Sequence, residues 1–77
     1  MSVLNPHVVS ETTTTITIGW TALPDCGYRF SLDRKILSHT WDQTRTEARF
    51  SKPQDGSPHE YGVEPITVGT REYVTAS

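Results

Sequence analysis

The chain of 77 residues has a single cysteine, Cys26. One cysteine cannot close an intrachain disulfide, so the fold does not depend on an oxidising compartment. No basic run is present. Seven Lys and Arg are scattered among nine Asp and Glu, for a formal net charge of −2. Nucleic-acid binders show a clustered basic footprint, so no nucleic-acid partner is expected. No apolar run approaches the roughly 18–20 residues of a membrane span, and no membrane insertion is expected. Residues 1–20 hold neither a charged n-region nor an apolar h-region, so no signal peptide is read. Helical periodicity is also missing: apolar residues never recur at i, i+3, i+4 and i+7 over a helix-length stretch.

What is present is alternation. Ile16, Ile18 and Trp20 alternate with Thr15, Thr17 and Gly19. That is the period of a half-buried strand. Thr13–Trp20 is therefore expected as a strand with an isoleucine–tryptophan face inward and threonines to water, with Glu11 and Thr12 in the turn before it. Tyr28, Phe30 and Leu32 alternate with Arg29 and Ser31 in a second clear strand, and Asp33-Arg34-Lys35 reads as the turn after it. Val8 and Val9 after Pro6 give a short edge strand at about 7–10, because proline is confined to edges and first positions. Ile36–Trp41 is apolar but less cleanly patterned. Thr44–Phe50 alternates weakly, with Ala48 and Phe50 on one face. Ser51–Pro58 is dense in turn formers and reads as a loop. Tyr61 and Val63 start another strand. Pro65 marks a bulge or a strand end, with Ile66 and Val68 resuming out of phase. Arg71–Thr75 closes the chain as a last strand with Tyr73 inward.

Six to seven short strands separated by turn signals predict an all-β fold, an antiparallel two-sheet sandwich or a small barrel. A chain this short forms one domain, residues 1–77. It buries about 60–65% of its unfolded surface, which leaves room for one thin core and little for a deep cleft.

Residue types that carry chemistry are present but dispersed. His7, His39 and His59 lack the short spacings of zinc ligands and are expected as unpaired, water-exposed side chains. Cys26 lies beside Asp25, which disfavours a thiolate, and reads as a passive thiol in a turn. Asp25, Asp33, Asp42, Asp55, Glu60 and Glu64 fall in expected turns or strand ends and read as scattered surface charge rather than a paired acid and base. Asp55-Gly56-Ser57 lacks the other ligand positions of a calcium loop. Asn5-Pro6-His7 is not a glycosylation site, and no Arg-Gly-Asp triplet occurs. No catalytic residue, cofactor or metal is therefore assigned, and the chain is not expected to be an enzyme. Trp41 stands apart. Packing at the core or its rim is favoured for it, and it is the candidate interface residue, because exposed aromatics anchor interfaces.

In this order the segments resemble a fibronectin type III domain. The resemblance is carried by Pro6 before the first strand, Ile16-x-Ile18-x-Trp20 on the second, Gly27-Tyr28-Arg29-Phe30 opening the third, and Glu60-Tyr61-Gly62-Val63 after a proline-bearing loop. It spans about residues 6–75. It implies that Trp20 and Tyr28 are core residues, and that Tyr61 is a corner tyrosine whose hydroxyl bonds nearby backbone. The expected core is Ile16, Ile18, Trp20, Tyr28, Phe30, Tyr61 and Val63. The chain departs from the family at Asp55 and Pro65, where apolar residues are usual, and is short by about a strand between Leu37 and Thr44. A generic immunoglobulin-like sandwich is the alternative.

The resemblance implies a non-enzymatic structural or interaction module. Fibronectin-like domains occur in tailed-phage virions, so a capsid decoration or tail protein is expected. Its partners would be capsid or tail subunits, and it would be made in the host cytoplasm. The alternative is a fibronectin type III spacer or ligand-binding domain of a larger extracellular or cell-surface protein.

Overall fold

The computed structural model describes residues 4–23, 25–67 and 71–77. Among them are seven strands: β1 (His7–Glu11), β2 (Thr15–Gly19), β3 (Tyr28–Leu32), β4 (Lys35–Thr40), β5 (Glu47–Ser51), β6 (His59–Pro65) and β7 (Glu72–Ala76). They form two antiparallel sheets, β1-β2-β5 and β4-β3-β6-β7. The fold is an all-β two-sheet sandwich, and neither sheet closes into a barrel.

The Thr-rich stretch makes both a turn and a strand. Thr12 N donates to Thr15 O at 2.8 Å, and Thr15 N donates to the Thr12 hydroxyl at 3.0 Å. Residues 12–14 therefore form the turn, and Glu11 belongs to β1, opposite Ile16. Between β3 and β4 the turn is two residues long. Asp33 and Arg34 both have positive φ, 51° and 71°. That pair of angles matches the twist of a tight hairpin.

Both bulges fall on edge strands. Val9 is the extra residue of β1 against β2, and Leu37 the extra residue of β4 against β3. A bulge kinks an edge and blunts its capacity to template further pairing. Pro65 ends β6 and pairs with Tyr28. Ile66 sits in the following turn and does not resume a strand, while Val68 lies outside the described residues.

The inward faces of both sheets meet in one core. Ile16, Ile18, Trp20, Tyr28, Phe30, Tyr61 and Val63 are all buried, with Leu4, Ala48 and Phe50. Aromatic rings run through it in series, Trp20 to Phe30 at 5.6 Å, Phe30 to Phe50 at 6.3 Å and Phe50 to Tyr61 at 5.5 Å between centroids. Leu4 is fully buried. Its N–H donates to Glu72 and its carbonyl accepts from Thr21 N, so it links β7 of one sheet to the end of β2 in the other.

Tyr73 is a correction. The register sets Tyr61 opposite Val74 and Gly62 opposite Tyr73. Val74 therefore faces the core, and Tyr73 points outward and is 46% exposed. A slip of one residue exchanges the two faces of a strand, and β7 carries apolar residues in both phases.

Candidate interaction site

The two sheets do not seal along the side where β4 and β5 run. Both are edge strands. A cleft of about 460 Å³ opens between them, lined by Phe30, Leu32, Leu37, Ala48 and Phe50 on its apolar side. Polar lining comes from Ser38, His39, Arg45, Arg49 and Ser51. Phe30, Ala48 and Phe50 reach it as the inward residues of β3 and β5, and Ser38 does so because it pairs with Phe30. Arg45 sits at the mouth. Its guanidinium lies 5.7 Å from the Phe30 ring centroid, and its Nε donates to Glu47 O at 2.8 Å. That placement allows a cation–π contact, which holds the charge over an apolar floor.

Large apolar side chains are exposed on β1 (Val8, Val9), on β7 (Tyr73) and on and beside β4. Ile36 is 49% exposed, Leu37 57% and Trp41 67%. The core or rim position favoured for Trp41 is thus corrected: its ring stands in solvent, edge-on to His39 at 6.0 Å. The chain has left β4 by this point. It turns at Asp42, whose carboxylate accepts from Thr44 N and the Thr44 hydroxyl, and crosses to β5. Among the described residues no strand lies beyond β4 to cover the indole.

A second cluster forms where none was expected. His59 Nδ1 lies 2.6 Å from Asp33 Oδ2, and its Nε2 lies 2.9 Å from Asp55 Oδ1. The ring is half-buried with a partner on each nitrogen, so the expectation of an unpaired, exposed histidine is corrected. Hydrogen bonds to the Asp55 and then the Asp33 carboxylate raise the His59 pKa above 6.5. The Glu60 N–H and then His59 lower the Asp33 pKa, and His59 and then Ser57 N–H lower that of Asp55. Each ring nitrogen thus faces a carboxylate oxygen. The cluster therefore acts as a clamp, joining the β3–β4 turn, the 52–58 loop and β6.

Of the remaining acidic residues, Glu64 bonds Arg29 at 3.0 Å and Glu60 bonds Arg34 at 3.1 Å. Both stand inside β6 rather than at turns. Asp55 to His59 is a local spacing visible in the sequence. The approach of Asp33 depends on β3 pairing with β6, which brings Leu32 opposite Tyr61, and no sequence signal marks that pairing.

The other candidates stay apart. His7 and His39 are both exposed, and His39, on β4, stands opposite Arg29. Cys26 is 3% exposed, with its thiol donating to Gly27 O. Among the described residues no group of three or more His, Cys, Asp or Glu is arranged to hold a metal ion.

The Tyr61 hydroxyl corrects the corner expectation, since it is buried without a hydrogen-bond partner. Tyr28 holds the local backbone instead. Its hydroxyl accepts from Leu23 N at 2.8 Å and lies 3.4 Å from Leu23 O, to which it donates.

No protein-family model matches the chain, and no curated protein or solved structure is detectably similar to it.

Proposed function

We propose that this protein is a non-enzymatic structural or interaction module of fibronectin type III type, serving in a phage virion as a capsid decoration or tail component. The observation that carries the interaction reading is Trp41, 67% exposed just past β4, with Ile36 and Leu37 also exposed on that strand. A solvent-facing tryptophan is the residue type most enriched among interface anchors.

Two observations support the non-enzymatic part. The His59 ring is committed to two carboxylates, and the Cys26 thiol is buried. The fibronectin type III part rests on the four sequence motifs and on the sandwich. An immunoglobulin constant sandwich divides its strands four and three, with the fourth beside the fifth. Here the fourth strand pairs with the third in the other sheet. The virion setting rests on family context and on a small acidic sandwich that needs no disulfide.

Mass spectrometry of purified particles from the source tests the setting. The chain is expected at a fixed ratio to the major particle protein. Absence from particles, with an in-frame continuation of the coding sequence, would make it a spacer or binding domain of a larger protein.

A further inference from the structure

We propose that two copies of this chain pair edge to edge through β7, antiparallel and with Val74 opposite Val74 of the other copy. The sheet β4-β3-β6-β7 then continues across a two-fold axis into the same sheet of the second copy. This pairing does not depend on the proposed function.

Exposed edge strands template further pairing, and proteins blunt them. Three of the four edges are blunted here. β1 carries its bulge at Val9, and β4 its bulge at Leu37. On β5, Thr46 O accepts from Trp20 N, so the next carbonyl, that of Glu47, faces outward, and Arg45 Nε holds it at 2.8 Å. β7 has none of these devices. It pairs with β6 without a break from His59↔Ala76 to Val63↔Glu72, and its sequence EYVTA holds no proline and no lysine.

The direction of the β7 backbone follows from its neighbour. Asp33 N donates to Glu60 O and Ile66 N to Gly27 O, so the even residues of β6 face β3 and the odd ones face β7. Their partners Glu72, Val74 and Ala76 turn inward to β6. Tyr73 and Thr75 turn their N–H and C=O groups to the open edge, where among the described residues no hydrogen bond reaches them.

Side-chain order selects a second copy as the occupant and sets the register. Only registers that oppose outward-turned residues make the bonds. Centred on Glu72, the pairing opposes two carboxylates. Centred on Tyr73, it sets Glu72 against Val74 on the core side. Centred on Val74, it sets Val74 against itself, Glu72 against Ala76, and Tyr73 against Thr75 twice. Aromatic and β-branched residues pair favourably across strands, and no like charges are opposed. A further slip pairs Tyr73 with Ser77, beyond the end of β7. The same patch thus complements itself, as an isologous dimer requires. Val74 and Ala76, half-buried at the core margin, lose their remaining exposure. Such an interface is small, so the dimer is weak. β4 lies at the far end of the sheet from β7, so the dimer carries its two Trp41 side chains at opposite ends.

The test is sedimentation velocity of the full chain from about 10 µM to 1 mM, read with amide exchange by NMR over the same range. The expected result is a monomer–dimer equilibrium with its midpoint in that range. The Tyr73 and Thr75 amides should exchange several times more slowly at the top of the range than at the bottom, with Arg49 and Ser51 on β5 unchanged. Tyr73→Lys with Thr75→Lys opposes like charges in the Val74 register and should abolish the dimer, whereas Tyr73→Lys with Thr75→Glu opposes unlike charges and should keep it. Both variants change exposed side chains, and their amide spectra check that each is folded. A monomer at every concentration, a dimer that protects Arg49 and Ser51 instead, or the same behaviour from both charge variants would overturn the assignment. If the dimer forms while a photo-crosslinker at position 41 traps no partner, the pairing stands and the interaction-module reading falls.

Discussion

Tyr28 and Tyr61 are both fully buried, yet their hydroxyls differ in partners. An unmade bond inside a protein costs the desolvation of the polar group, whereas a made bond returns about 1 kcal/mol net. Tyr61→Phe should therefore leave stability unchanged within about 0.5 kcal/mol or raise it. Tyr28→Phe should lose about 1–2 kcal/mol, because Leu23 N is left without its acceptor. Urea denaturation of the two variants checks this, and a larger loss at Tyr61 would restore the corner role to that residue. Trp20 carries more. Its ring lies 5.2 Å from Tyr28 and 5.6 Å from Phe30. Trp20→Ala should cost about 3–5 kcal/mol, enough to unfold a small domain whose total stability is of the same order. A melting shift of only a degree or two would contradict that placement. Gly27 is set by its surroundings: a Cβ there would lie 2.6 Å from the backbone oxygen of Thr40. Gly27→Ala should destabilise by about 1–3 kcal/mol, as overpacking does.

At the scale of elements, the 52–58 loop is tied at both ends. Lys52 pairs with Glu11, Lys52 N donates to Thr14 O, and Gln54 donates to Thr13 O, which fixes one end to the β1–β2 turn. The His59 clamp fixes the other. Its pH dependence follows from the directions of the shifts. The His59 pKa is raised on folding, so its contribution is complete below 6.5 and is lost as pH climbs through the higher folded value. The Asp33 and Asp55 pKa values are lowered, so their contributions are complete above 3.8 and are lost as pH falls through the folded values. The clamp is thus whole between about pH 4 and 6.5. The melting temperature of the wild type minus that of His59→Gln should be largest in that window and shrink on both sides. Parallel profiles from about pH 2 to 9 would show that His59 makes no pH-dependent contribution.

Strands with clean alternation were legible in the sequence. Ile16, Ile18, Tyr28, Phe30, Tyr61 and Val63 each announce an inward face because polar or small residues separate them. β7 was not legible in phase, because Tyr73 and Val74 are both apolar and only the pairing with β6 decides between them. Leu4 was passed over, since its burial depends on Glu72 and Thr21, far away in the chain. The His59 clamp was hidden for the same reason: Asp33 reaches it across a sheet pairing. Trp41 was ambiguous because an aromatic beside a turn signal fits either a core rim or open solvent.

On the scale of the whole molecule, the sandwich is asymmetric. Its side between β4 and β5 is open, and Ile36, Leu37 and Trp41 are exposed on and beside β4, as Val8 and Val9 are on β1 and Tyr73 on β7. A partner should meet that side. A photo-crosslinking amino acid at position 41, compared with one at Thr13 in the distant β1–β2 turn, tests this most directly in the native source. The account predicts one discrete heavier species from position 41 and none from position 13. No species from position 41, or the same species from both positions, would contradict it.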